Sequence, residues 1–189
     1  MFILKKKYFL IIQNIKDINL NNIKPNNKFF IILRNKNIGS NIDSLIRFRK
    51  KCKIKGFKFF VANNLNLGRQ LKSDGFYISS HNKGFKHLHQ IKKDSLIIGS
   101  AHNFKEINQK RIQGCKYIIC SKLFKVDYNP KDKFYGVLKF NNLLLNNNKV
   151  IPLGGIKLAN LNKLKIVRSK GLAIMSEIKK KPAISSRLF

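Results

Sequence analysis

Eight short, unbroken apolar runs recur along the chain, at residues 8–12, 29–33, 57–61, 75–78, 96–98, 117–120, 150–153 and 171–175. They do not alternate apolar with polar, as a strand with one solvated face does. Continuous runs are what parallel strands covered on both faces require. Between several of them lie segments with apolar residues at helical spacing, such as 42–48 and 104–112. Strand, helix, strand is the repeating unit of a (β/α)8 TIM barrel. The pattern therefore predicts one α/β domain over residues 1–189, a single parallel barrel. Its helices must be shortened, because 189 residues fall below the usual barrel size. Residues 65–73 leave room for barely two helical turns. The Asn tracts at 141–142 and 146–148 read as solvated ends of a helix on Leu143–Leu144–Leu145.

The 43% hydrophobic content supports a packed core, whereas Lys+Arg 40 against Asp+Glu 8 gives a net charge of +32. Such a charge attracts polyanions. Lys, Asn and Ile are enriched together, however, and no basic block stands apart from the apolar pattern, which fits a compositional bias of the gene. A nucleic-acid-binding role would rest on charge alone, since no stacking motif is present and most Phe residues fall inside the apolar runs. Cys52, Cys115 and Cys120 form neither a disulfide framework nor a zinc knuckle. A reducing cytoplasm suits them. The run at 8–12 is too short for a signal sequence or a membrane span, so no membrane partner is expected.

Barrel chemistry sits at the C-terminal ends of strands. Polar residues follow the runs there: Arg34 and Lys36, Asn63 and Asn64, 79–82, 100–103, and a long segment from Ser121 and Lys122 through Pro130 to Gly136. The predicted rim is 34–36, 63–64, 79–82, 100–103, 121–136, 154–156 and 175–177. Arg34 and Lys36, two apart in extended chain, point the same way and suit one phosphate or pyrophosphate. Gly154 and Gly155 let bare backbone amides approach an anion, and Ser176 adds a hydroxyl where a short helix would begin. His102 is the acid/base candidate.

Taken in order, Arg34-x-Lys36, Asn63-Asn64, 74–78, 98–102, 114–118, Leu123-Phe124, 153–156 and 173–176 resemble the thiamine-phosphate synthase and TenI superfamily. The resemblance implies a synthase that joins hydroxymethylpyrimidine diphosphate to thiazole phosphate and releases pyrophosphate. By the same resemblance Arg34, Lys36 and Asn63 contact the pyrophosphate, Ser100 the pyrimidine side, and Gly154, Gly155, Met175 and Ser176 the thiazole phosphate, with Asn129 a further substrate-binding residue. Magnesium would be the cofactor, held at Asn64 and Asn82, where the family carries Asp. The family's Gln two residues before the Arg is Ile32 here. In place of a Thr-x-Thr-Lys run stand Val126 to Pro130, Asn129-Pro130 being closer to the His-Pro of some short relatives. Lys122, a second catalytic candidate, occupies the position of the TenI tautomerase's His. A neutral amide is a poor substitute for a carboxylate on a hard dication. The alternative expectation is thus a phosphate-ligand-binding barrel without synthase activity.

Overall fold

The computed structural model describes residues 6–34, 42–85, 88–91 and 94–175. Strands β1 (Lys7–Ile12), β2 (Phe29–Leu33), β3 (Lys58–Ala62), β4 (Gly75–Ile78), β5 (Leu96–Ala101), β6 (Tyr117–Ser121), β7 (Val150–Leu153) and β8 (Gly171–Ile174) lie in one parallel sheet. Its order is β7-β6-β5-β4-β3-β2-β1-β8, so each strand neighbours the next in sequence and β8 returns to β1. The end strands β7 and β8 meet at a seam where buried Ser169 Oγ donates to the Gly171 carbonyl at 2.7 Å and lies 3.4 Å from the Val150 carbonyl. This is the TIM barrel that the eight runs predict.

Helices α1 (Ile42–Ile54), α2 (Leu65–Gln70), α3 (Phe104–Ile112), α4 (Gly136–Leu145) and α5 (Leu161–Ile166) cover the outside. Two expectations are corrected. Among the described residues, the β1–β2 and β4–β5 connections hold only single turns of 3-10 helix, at Ile15–Asp17, Leu20–Asn22 and Leu88–Gln90. In the first connection Asn14 and Asn19 turn their side-chain oxygens onto the amides of Lys16 and Asn21, which offers the backbone an alternative to a continued helix. The second correction is that α4 begins at Gly136 and takes Asn141 and Asn142 into its body. Phe140 and Leu144, four apart, bury one face and override the polar tract.

Strand alternation splits the core into two clusters. Tyr8, Leu10 and Ile12 of β1 face the helices, whereas Phe9 and Ile11 face the barrel interior. The interior is packed with Phe9, Phe30, Phe60, Tyr77 and aliphatic neighbours, the Phe9 and Phe30 rings stacking at 4.8 Å. Lys7 closes the N-terminal end, its Nζ bonded to Tyr117 Oη and 4.6 Å from that ring's centroid. β5 runs past its apolar residues because Gly99, Ser100 and Ala101 continue the ladder against Ile118, Ile119 and Cys120 of β6, and Gly99 lies under α3. A Cβ there would come within 2.8 Å of Cys115 Sγ and 2.9 Å of Lys110 Cδ.

Candidate active site

The same alternation that sends Ile32, Tyr77 and Ile98 inward carries the next inward positions, Arg34, Ser79 and Ser100, to the barrel mouth. Tyr77 is fully buried, and burial pushes its phenol pKa up, opposed by the Ser100 hydroxyl bond and the Arg34 charge. The phenol is therefore a neutral hydrogen-bond partner at any physiological pH. Ser100 Oγ accepts from the Ser80 amide at 2.9 Å, which leaves its proton for Tyr77. Tyr77 and Ser100 thus share a hydroxyl hydrogen bond below the mouth, and the Arg34 charge is near enough to act on the phenol. Tyr77 has no counterpart among the sequence candidates, because its apolar run hides which face it occupies.

Asn63 holds a left-handed conformation, φ 54°, at the end of β3. Its side chain is engaged: Nδ2 donates to Ser79 Oγ at 2.9 Å, and Oδ1 accepts from the Ser79 amide at 3.0 Å. Asn64 caps α2, its Oδ1 accepting from the Leu67 amide at 2.9 Å. Asn82 is fixed through its backbone carbonyl, which accepts from Lys110 Nζ at 2.7 Å and Gln113 Nε2 at 3.2 Å. These donors do not fit magnesium. One amide oxygen is spent on a helix cap, and the described residues contain no group of three His, Cys, Asp or Glu side chains able to hold a metal.

His102 lies exposed at the end of β5 with Nδ1 2.9 Å from Ser121 Oγ of β6. The turn that holds it is built by Asn103 and Glu106: Asn103 Oδ1 caps the Glu106 amide, and Glu106 Oε2 accepts from the His102 amide at 2.8 Å. Ser121, which the sequence puts on the rim without a role, is the side chain that steadies His102. Lys122 is paired with Asp132, and its Nζ sits 5.6 Å from the Tyr128 ring centroid. Asn129 is exposed, its carbonyl accepting from the Asp132 amide at 3.2 Å.

Gly154 and Gly155 both have left-handed φ, 97° and 66°. Their turn is stitched to the β6 segment: the Leu123 amide donates to Leu153 O at 2.8 Å and the Phe124 amide to Gly154 O at 3.1 Å. Asn160 Nδ2 holds Gly155 O at 2.7 Å. With the carbonyls so occupied, no acceptor among the described residues meets the amides of Gly155 and Ile156. Met175 packs on the interior cluster below. Lys36 and Ser176 lie outside the described residues.

The three thiols are inert at neutral pH: burial pushes Cys52, Cys115 and Cys120 up to about 12.

A family model described as thiamine monophosphate synthase matches residues 18–178. Thiamine-phosphate synthase of Prochlorococcus marinus is 27% identical over 129 residues, covering 67% of this chain and 37% of that protein. The enzyme of the same name from Methanococcus vannielii is 23% identical over 121 residues, 64% of this chain and 59% of that protein. The chain thus spans less than two thirds of the length of these relatives. Among solved structures, thiamine phosphate pyrophosphorylase from Pyrococcus furiosus superposes with a TM-score of 0.76 at 15% identity, covering 96% of this chain and 91% of that one. The fold, the order of the rim residues and the match across residues 18–178 agree: the chain belongs to the thiamine monophosphate synthase and TenI family.

Proposed function

We propose that this protein is a thiamine-phosphate synthase, which couples hydroxymethylpyrimidine diphosphate to thiazole phosphate with release of pyrophosphate. The observation that carries the reading is the turn at Gly154 and Gly155, whose following amides lack acceptors among the described residues and open at the C-terminal end of the barrel. A phosphate monoester supplies the acceptors such amides need. Across the mouth, Arg34 is a cation for the leaving pyrophosphate, whose negative charge grows as its bond to the methylene carbon of the pyrimidine substrate breaks. Ser100, oriented by Ser80 and Tyr77, is the group for the pyrimidine. His102, steadied by Ser121, is placed to move a proton at the rim. Lys83 and Lys131, exposed near the same end, add positive charge where the family relies on acidic metal ligands.

The engagement of Asn64 as a helix cap favours the second reading, a barrel that binds phosphorylated ligands without turning them over. The purified chain, supplied with both substrates at physiological salt, separates the two. Formation of thiamine phosphate, lost in Arg34→Ala, supports the synthase; retained thiazole-phosphate binding without product supports the binding barrel. Rescue of a strain lacking thiamine-phosphate synthase is the matching test in cells.

A further inference from the structure

In a parallel barrel every strand starts at the end opposite the active site, and every helix finishes there. Lysines crowd those starts. Lys6, Lys28, Lys58, Lys116, Lys149 and Lys170 stand at or just before β1, β2, β3, β6, β7 and β8, and all six are exposed. Their backbones are stitched around the barrel: the Lys6 amide donates to Lys170 O at 3.1 Å, Tyr8 to Lys28 O at 2.8 Å, and Ile118 to Lys149 O at 3.0 Å. They form one ring.

Four of the five helices end on an exposed aliphatic residue: α1 on Ile54 (83% exposed), α3 on Ile112 (70%), α4 on Leu145 (69%) and α5 on Ile166 (64%). Each lies four or five residues before the next strand, so the four surround the lysine ring at its own level. The acids are distributed the other way. Asp17, Asp43, Glu106, Asp127 and Asp132 follow strands or begin helices at the active-site end. Among the described residues, the ring end has Asp74, ion-paired with Arg49, and Asp94. These two, with Gln70 ending α2, leave the α2–β4–β5 sector without the pattern.

We propose that the strand-start end of the barrel docks on an anionic phospholipid surface, with the lysines over headgroup phosphates and the four aliphatic residues in the interface. Charge complementarity selects an anionic partner. Aliphatic side chains among lysines fit a lipid interface, whereas single-stranded RNA is gripped by stacking on aromatics. The exposed Phe104, Tyr128 and Phe134 lie toward the opposite end. A second copy of the chain would set one basic ring against another. This docking leaves the active-site mouth facing water. It requires no spanning segment, and no helix among the described residues is long and apolar enough to cross a membrane.

The test is sedimentation with phosphatidylserine/phosphatidylcholine vesicles at physiological salt. Removing the ring in K28Q/K116Q/K149Q/K170Q should weaken binding by about a hundredfold or more, each lysine near the surface being worth about fivefold. The same charge removed from the far end, in K105Q/K125Q/K131Q/K133Q, should cost less than about fivefold, because those groups lie beyond a Debye length of about 8 Å. The protein has no Trp, so I112W places a single indole in the otherwise natural chain. Its emission should shift to the blue on anionic vesicles, while that of Tyr128→Trp should not. This reporter decides the matter even if a quadruple variant fails to fold. Equal losses from the two lysine sets, an I112W indole that stays in water on the vesicles, or ring-dependent binding of poly(U) with vesicle binding unaffected would each overturn the proposal.

Discussion

Asn64 and Gly155 are the residues whose surroundings most change what their identity suggests. Asn64 caps α2, and an Asp at an N-cap serves equally well, so Asn64→Asp introduces a carboxylate without losing the cap. Combined with Asn82→Asp, it should strengthen pyrophosphate binding in magnesium relative to the natural chain; calorimetry with and without magnesium checks this. Gly155 faces backbone. A Cβ there would lie 2.4 Å from the Lys125 carbonyl oxygen and 2.5 Å from that of Phe124. Gly155→Val should therefore destabilise the fold by more than about 2 kcal/mol, read as a lowered urea midpoint, and loss of phosphate binding in that variant would not isolate the anion site. Arg34→Ala is the cleaner probe. It should weaken pyrophosphate while sparing thiazole phosphate, since the turn's amides are untouched.

At the scale of elements, three helices end in the same motif. The Phe57 amide donates to Cys52 O and Gly56 to Lys53 O after α1; Ser73 to Gly68 O and Lys72 to Arg69 O after α2; Cys115 to Lys110 O and Gly114 to Arg111 O after α3. The left-handed residue is Gly56, Gly114 and, in the odd case, Lys72, with φ of 73°, 75° and 48°. Lysine carries a Cβ penalty there that glycine does not. Lys72→Gly should raise stability by about 0.5–1 kcal/mol. Gly114→Ala should lower it by about 1 kcal/mol although a Cβ there meets nothing within 4 Å, which separates backbone strain from crowding; thermal unfolding of the two variants measures both.

For the whole molecule, the buried thiols set the alkaline limit. Cys52, Cys115 and Cys120 are raised to about 12 by burial, and burial also raises Tyr135 to about 12. An acid whose pKa is raised by folding binds more protons folded than unfolded, so its contribution is complete below the unfolded pKa and lost as pH climbs to the folded one. For the thiols that window runs from about 8.5 upward. Lys110, lowered by desolvation, has the opposite sign: its burial costs most at neutral pH and the cost fades as pH rises toward its unfolded value. With three thiols and two phenols, Tyr77 and Tyr135, against one amine, the urea midpoint should fall between pH 8 and 11. The triple variant Cys52→Ala, Cys115→Ala, Cys120→Ala should flatten that fall, whatever its lower starting stability.

The apolar runs determined the barrel, because a parallel strand buried on both faces admits almost nothing but Ile, Leu, Val and Phe, as in Phe29–Leu33. Helices α1 and α3 were legible for the same reason, through spacing that is local to each. The polar residues that follow strands were also legible as a rim, since connectivity alone puts them at one end. What each of them does there was not. Sequence cannot tell a ligand from a cap, and only the structure put Asn64 Oδ1 on the Leu67 amide, Asn63 on Ser79 and Lys122 on Asp132. It likewise took the closed sheet to turn Tyr77 toward Arg34 and Ser100, and to gather lysines and aliphatics that are tens of residues apart onto one face. Periodicity encodes which face of an element is buried; which side chains from distant elements meet is fixed by closure of the barrel, and that is a property of no single segment.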